Sequence, residues 1–278
     1  MALDSGNGEE VVANGSFNCL SFDDEEGERV IDNRESNSFE STFALLREKY
    51  ALDSIVGDLN TDSAKALKLS DWTHRLWKHN GLNEPTATDP VSIIEEAKQV
   101  GGFRCVEYSI VLSAALNSIG TKARVLRLMT EDVETREAGA GHVVVEYYNR
   151  EFNKWVFTDP QVNVTPSADD IPLNAVEFQS AICCNRRKIN NWSRKRHCQI
   201  KMRRYKDWVF PYLFYFRVNF ASSSWNGDPE NTICLVPAGH KKPNVFQRKY
   251  SLDGMSETHS WKTFYPEQRE LYLCNGHK

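Results

Sequence analysis

Apolar residues recur at helical spacing from Ser41 onward, with Phe43, Leu46 and Tyr50 in one segment and Leu67, Trp72, Leu76 and Trp77 in a second. Gly57 and Gly81 break the pattern, and a stretch through Pro85 and Pro90 reads as a loop. A short helix is predicted over Val91–Val100, ended by Gly101 and Gly102. From Cys105 to Ile119 the apolar positions lie nearly all round, which predicts a buried helix, and Gly120 sits where a left-handed cap is wanted. Beyond it the pattern becomes that of strands. Ala123–Met129, His142–Tyr148 and Trp155–Asp159 are short and rich in Val, Phe, Tyr or Trp, with a charged, Gly-containing loop over 130–141. Trp208–Phe220, Thr232–Val236, Val245–Tyr250 and Glu270–Cys274 are further predicted strands.

Residues 1–38 are rich in Gly, Asn, Ser and acids, and their apolar island runs only from Phe17 to Phe22, so a frayed or surface-draped leader is expected there. The organisation expected is an acidic leader over 1–38, a core over 39–165, and a basic and β-rich C-terminal part over 166–278 packed on the same core.

Composition adds that the chain can build a full interior. It has 278 residues, 40% hydrophobic, with seven Trp, ten Tyr and fourteen Phe. No run approaches the roughly 18 apolar residues of a membrane span, and the start, MALDSGNGEE, lacks the regions of a signal peptide. A soluble cytoplasmic protein with no membrane partner is the expectation. Seven Cys, an odd number, fit free thiols in a reduced compartment better than a disulfide framework. The net charge is −4, yet residues 1–30 hold eight acids against Arg29, so the rest of the chain is net basic.

Three residues carry candidate chemistry. Cys105 opens the apolar helix, where unsatisfied amides and a partial positive charge favour a thiolate; taken alone, it reads first as a small buried hydrophobe. His142 opens one strand and Asp159 closes the next. A hairpin centred between Arg150 and Glu151 would pair 147 with 154 and set His142 directly opposite Asp159, close enough for the carboxylate to orient the imidazole. Singly, these are a strand histidine and a turn signal before Pro160. Together, a thiol on a helix start with a base and its orienter on adjacent strands is what nucleophilic thiol catalysis needs.

The stretches GGFRCVEYSIVLSAALNSIGTKARVLRL, GHVVVEYY and KWVFTDP, within residues 101–160, closely resemble the transglutaminase-like superfamily, in the manner of a bacterial-type stand-alone member. The resemblance implies an α+β, papain-like fold, with N-terminal helices packed on an antiparallel sheet and a β-rich C-terminal extension. It implies Cys105 as nucleophile, His142 as general base and acid, Asp159 as orienter, and acyl transfer through a thioester, with no cofactor. The large flanking β domains and calcium sites of animal-type members, and the paired zinc cysteines of glycan-removing ones, are missing from this sequence. Oxyanion donors are needed as well. Besides the Cys105 amide, candidates are Gln99, at the papain-like spacing of six residues, and Trp72 or Trp77, at the place of the transglutaminase Trp; on their periodic spacing the two Trp read first as helix-packing core. Glu146 is expected to pair with Arg124 rather than join the chemistry.

Between Arg186 and Lys206 lie ten basic residues and no acid. Interleaved Trp192, His197 and Tyr205 resemble a nucleic-acid footprint, but no RNA- or DNA-binding motif accompanies them. Arg194, Lys195 and Arg196 could instead dock an acidic carrier protein, or the segment could be a solvated face. Cys183, Cys184, His197 and Cys198 lack the gaps of a zinc set, so no metal is expected. Three functions stay open on these residues: amide hydrolysis or transamidation of a peptide, protein or small substrate; amide formation from a carrier-bound acyl thioester; and a non-catalytic binding module using segment 186–206.

Overall fold

The computed structural model describes residues 19–25, 39–184, 188–192, 199–219 and 232–273. Most of the acidic leader and the docking candidates Arg194, Lys195 and Arg196 lie outside these, as do His197 and Cys198.

The N-terminal layer is helical: α1 (Glu40–Lys49), α3 (Asp62–His74) and α4 (Pro90–Val100) pack on α5 (Cys105–Ser118), and the short α2 (Leu52–Val56) packs on α1 and α3. Local sequence sets their ends. Thr61 caps α3 by accepting from the Ala64 amide, and Asp89 caps α4 by accepting from the amides of Val91 and Ser92, with Pro90 at the first helical position. Gly101 ends α4 in the left-handed conformation, and Gly120 does the same after α5. From Glu107 to Leu116, α5 is buried at every position, as its all-round apolar pattern predicts.

A six-stranded sheet backs this layer in the order β11-β8-β7-β1-β2-β3. The strands are β1 (Ala123–Met129), β2 (Gly141–Asn149), β3 (Lys154–Thr158), β7 (Tyr215–Asn219), β8 (Thr232–Leu235) and β11 (Ser256–Thr258), antiparallel except where β11 meets β8. Between β3 and β7 the chain forms a small sheet of β4 (Pro166–Ala168), β5 (Ile171–Pro172) and β6 (Ile189–Asn191), with α6 (Ala175–Cys184) and α7 (Gln199–Val209) beside it. A two-stranded hairpin, β9 (Val245–Phe246) with β10 (Tyr250–Ser251), and the short α8 (Trp261–Phe264) complete it.

The two sheet faces bury separate cores. Val145, Tyr147 and Val156 pack with α1–α5, while Leu126, Leu128, Val144, Phe157, Phe216 and Val218 pack with α6, α7 and α8. The C-terminal strands thus continue the central sheet, with β7 beside β1 and β11 at the edge. The mixed α+β architecture is the one expected.

Three predicted strands differ. Over Trp208–Phe220 the first residues finish α7: Met202, Tyr205 and Val209 are buried at helical spacing, and only past the turn at Pro211 does the chain extend into β7. Val245–Tyr250 splits into β9 and β10 around Gln247 and Arg248, both at positive φ. The described part of Glu270–Cys274 forms no strand, because its Tyr272 amide and Glu270 carbonyl are taken by Glu177 and Gln268 side chains. The leader segment 19–25 is tied down rather than frayed. Asp23 exchanges backbone bonds with His259 and Trp261, and Phe22 packs edge-on against Phe216.

Candidate active site

Cys105 sits at the first position of α5 and is half-buried with a free thiol. The chain reaches it through a tight approach. Gly102 has φ +132, and a Cβ there would lie 1.9 Å from the Lys78 carbonyl oxygen and 3.1 Å from Trp77 Cδ1, so no other residue fits. The Asn80 amide donates to the Phe103 carbonyl, fastening the 77–80 segment beside the residues that lead into Cys105. Glu107 then caps α5 by accepting from the Arg104 amide at 3.0 Å.

His142 and Asp159 are both buried, and His142 Nε2 lies 2.7 Å from Asp159 Oδ2. The hairpin that brings them together has a register different from the one expected. Val145 pairs with Thr158 and Asn149 with Lys154, around a four-residue loop that ends on Asn153 at positive φ. The shift is by two residues, which preserves the face each side chain occupies, so His142 reaches Asp159 diagonally instead of directly across. The turn beyond Asp159 is held from α3: Ser70 donates to Asn163 Oδ1, and His74 Nδ1 lies 2.9 Å from the Gln161 carbonyl.

Cys105 also acts on the His142 imidazole, adding to the pull of Asp159 on its proton. Burial alone would lower the His142 pKa, but the Asp159 charge and hydrogen bond, with Cys105 adding to them, push it up to about 10. The imidazole is therefore held as a cation beside the thiol.

Two aromatic residues of α7 complete this side. The Tyr205 hydroxyl donates to Asp159 Oδ2 at 2.8 Å, the same oxygen that meets His142. Burial and the Asp159 charge hold Tyr205 well above its ordinary pKa, so it stays a neutral donor. Trp208 stands edge-on to the His142 ring at 4.8 Å while remaining 43% exposed, which makes it a wall between the base and solvent. Tyr205 sits among the basic residues of segment 186–206, where composition reads as surface. The signal available was the buried spacing of Met202, Tyr205 and Val209. His79, on the 77–80 segment, is held below its ordinary pKa by burial first and by the His142 charge second, which places it in electrostatic reach of the pair.

The oxyanion candidates separate. Trp77 is buried against Tyr108 and Phe103, and its Nε1 has no hydrogen-bond partner among the described residues. Trp72 packs on Tyr50 within the helical layer, and Gln99 is exposed in the last turn of α4. Glu146 is spent structurally: it pairs with Arg124 at 2.8 Å and accepts from the Tyr265 hydroxyl.

The expectation of free thiols is corrected at one pair. Cys19 and Cys183 form a disulfide, with the Cys184 sulfur 3.8 Å from that of Cys19. A separation of 164 residues leaves no spacing pattern to read. Among the described residues, no helix is long and apolar enough to cross a membrane.

Residues 49–160, which contain Cys105, His142 and Asp159, match the family model of the transglutaminase-like superfamily. Solved structures similar to the chain include a cysteine protease candidate from Cytophaga hutchinsonii, at 13% identity and a TM-score of 0.34, covering 44% of this chain and 38% of that one. A structure described as a TGase is 14% identical with a TM-score of 0.32, covering 47% of this chain and 34% of that one. Each match takes in less than half of either chain. No curated protein matches the chain in sequence.

Proposed function

We propose that the protein is a cysteine-dependent acyl-transfer enzyme that cleaves or exchanges an amide, or a related acyl bond, through a thioester on Cys105. The observation that carries the reading is the buried His142–Asp159 pair, at 2.7 Å, in electrostatic contact with Cys105 at a helix start. In this reading the Cys105 thiolate attacks the substrate carbonyl, forming the C–S bond and placing the electron pair on oxygen. The Cys105 backbone N–H, one of the unsatisfied amides of the α5 start, and the unpartnered Trp77 Nε1–H are the groups available to receive that oxyanion. Collapse expels the leaving amine or thiol, which takes the proton from His142 Nδ1. His142 then deprotonates water or an amine, which attacks the thioester and restores the thiolate. Asp159 accepts from Nε2–H, fixing the proton there and stabilising the imidazolium.

Rapid mixing with an activated p-nitrophenyl ester tests this. A burst of p-nitrophenolate stoichiometric with the chain, lost in Cys105→Ala, is the expected result. A slow phase accelerated by primary amines assigns transfer, and one indifferent to them assigns hydrolysis. A burst that persists in Cys105→Ala contradicts the reading.

A further inference from the structure

The Cys19–Cys183 disulfide has a third sulfur beside it. The Cys184 thiol is free and lies 3.8 Å from the Cys19 sulfur, and all three sulfurs fall within 4.8 Å of one another. Cys183 and Cys184 end α6, whose Val176, Phe178, Ala181 and Ile182 are buried in the core on the sheet face away from α5. Cys19 is held by the segment it starts: the Ser21 carbonyl accepts from the Ala238 amide, and Asp23 is bonded through its backbone to His259 and Trp261. Two elements, one anchored by packing and the other by backbone hydrogen bonds, converge on one cluster of sulfur.

Two uses of three sulfurs call for different geometries. In thiol–disulfide exchange the attacking sulfur approaches along the axis of the bond it breaks. With an S–S bond of about 2 Å, a Cys184 sulfur in line behind Cys19 would stand about 6 Å from Cys183. It stands within 4.8 Å, to the side of the bond. A shared metal ion requires a compact triangle instead. Thiolates about 2.3 Å from a tetrahedral zinc ion are about 3.8 Å apart, which is the Cys19–Cys184 separation. The helix end favours the same use. Open carbonyls and a partial negative charge at the C-terminus of α6 disfavour a bare thiolate, the species that exchanges, and favour a cation held by thiolates. Among the described residues the cluster contains sulfur ligands and no carboxylate or imidazole, which suits zinc and not a hard cation such as calcium or magnesium. Sequence spacing hides such a site, since Cys19 lies 164 residues before Cys183.

We infer that Cys19, Cys183 and Cys184 form a zinc site in the reduced protein, with water at the fourth corner, and that the Cys19–Cys183 disulfide is the oxidised form of that site. A thiol reductant converts one into the other. Two equivalents of a monothiol become a disulfide and leave Cys19 and Cys183 as thiols, and Zn²⁺ then displaces three protons to bind three thiolates. Either form ties the segment of Cys19 to α6. The inference is independent of the role of Cys105, and its readouts do not include turnover.

The full chain is reduced with a phosphine, freed of it without air, and titrated with Co²⁺, whose spectrum reports its ligands. One Co²⁺ per chain should bind, with sulfur-to-cobalt charge transfer in the near ultraviolet and the visible bands of tetrahedral cobalt, and Zn²⁺ should displace it. Loss of an outer partner weakens a metal site about 10–100-fold, so loss of a ligand in Cys184→Ser or Cys19→Ser should weaken binding at least ~100-fold. Cys184→Ser keeps the Cys19–Cys183 disulfide, so circular dichroism of its oxidised form checks the fold before reduction. Cys105→Ser and Cys234→Ser should bind Co²⁺ as the wild type does. In the wild type, with no variant involved, one equivalent of Zn²⁺ should protect Cys19, Cys183 and Cys184 together from a maleimide, as read by peptide mapping. A reduced wild type without the charge-transfer band, whatever its circular dichroism, overturns the site. So does a band that survives both Cys19→Ser and Cys184→Ser, or one that vanishes in Cys105→Ser. A Cys19–Cys184 disulfide formed in place of metal binding overturns it as well and makes the cluster a thiol-exchange centre.

Discussion

Tyr205→Phe removes one oxygen and leaves the ring, which stacks on Phe178 at 6.2 Å and lies 5.9 Å from Trp208, in place. What is lost is the hydroxyl that shares Asp159 Oδ2 with His142. A hydrogen bond to a buried charge contributes about 1.5–3 kcal/mol, so urea unfolding should show a loss of about 2 kcal/mol with an unchanged slope. The second consequence is electrostatic and has a definite sign. The hydroxyl dipole offsets part of the Asp159 charge; without it the carboxylate draws harder on the imidazolium, and the His142 pKa rises further above its ordinary value. One pKa unit corresponds to about 1.36 kcal/mol, so redirecting half of the lost bond energy to the pair moves the midpoint up by about half a unit to one unit. Imidazole proton shifts followed by NMR across pH measure it. A residue that merely filled space would loosen the pair on substitution and lower the midpoint. A lowered or unmoved midpoint therefore refutes the role given to Tyr205, whatever happens to stability.

The other expectations follow from the same geometry. Asp159→Asn should fold but lose burst rate by orders of magnitude, because an amide can hold His142 in the wrong tautomer and cannot stabilise its cation; a near-normal burst in stopped flow contradicts this. Trp77→Phe keeps the packing on Tyr108 and removes Nε1–H, so acylation should slow about 10²-fold with little change in thermal midpoint, and an unaltered rate returns Trp77 to a packing role. Because the His142 pKa in the fold is raised to about 10, its pairing stabilises fully below the unfolded value near 6.5, and that contribution is lost as pH climbs through about 10. The stability gap between wild type and His142→Gln in urea should accordingly shrink from pH 7 to pH 10, and a gap that widens contradicts the assignment.

Much of the site was legible because it depends on local rules. An all-round apolar helix with Gly-Gly before it and Gly120 after it fixes where Cys105 falls, and alternation places His142 and Asp159 on a shared face in any register shifted by an even number. The register itself was not legible, because the loop length turns on Asn153 adopting positive φ, which nothing in the strand pattern requires. Tyr205 and Trp208 were hidden for a different reason. Their helix is basic on its exposed side, and charge density masks a three-residue apolar stripe whose value depends on the sheet it meets.

The account stands most directly on whether an acyl group becomes attached to the Cys105 sulfur. Intact-protein mass spectrometry after acid quench, with wild type mixed briefly with an activated ester, should show one added acyl mass. Peptide mapping should place it on Cys105, and hydroxylamine should release it as a thioester. Absence of the adduct in wild type and in His142→Ala, or its appearance on Cys184 or Cys234 with Cys105 unmodified, would contradict the account.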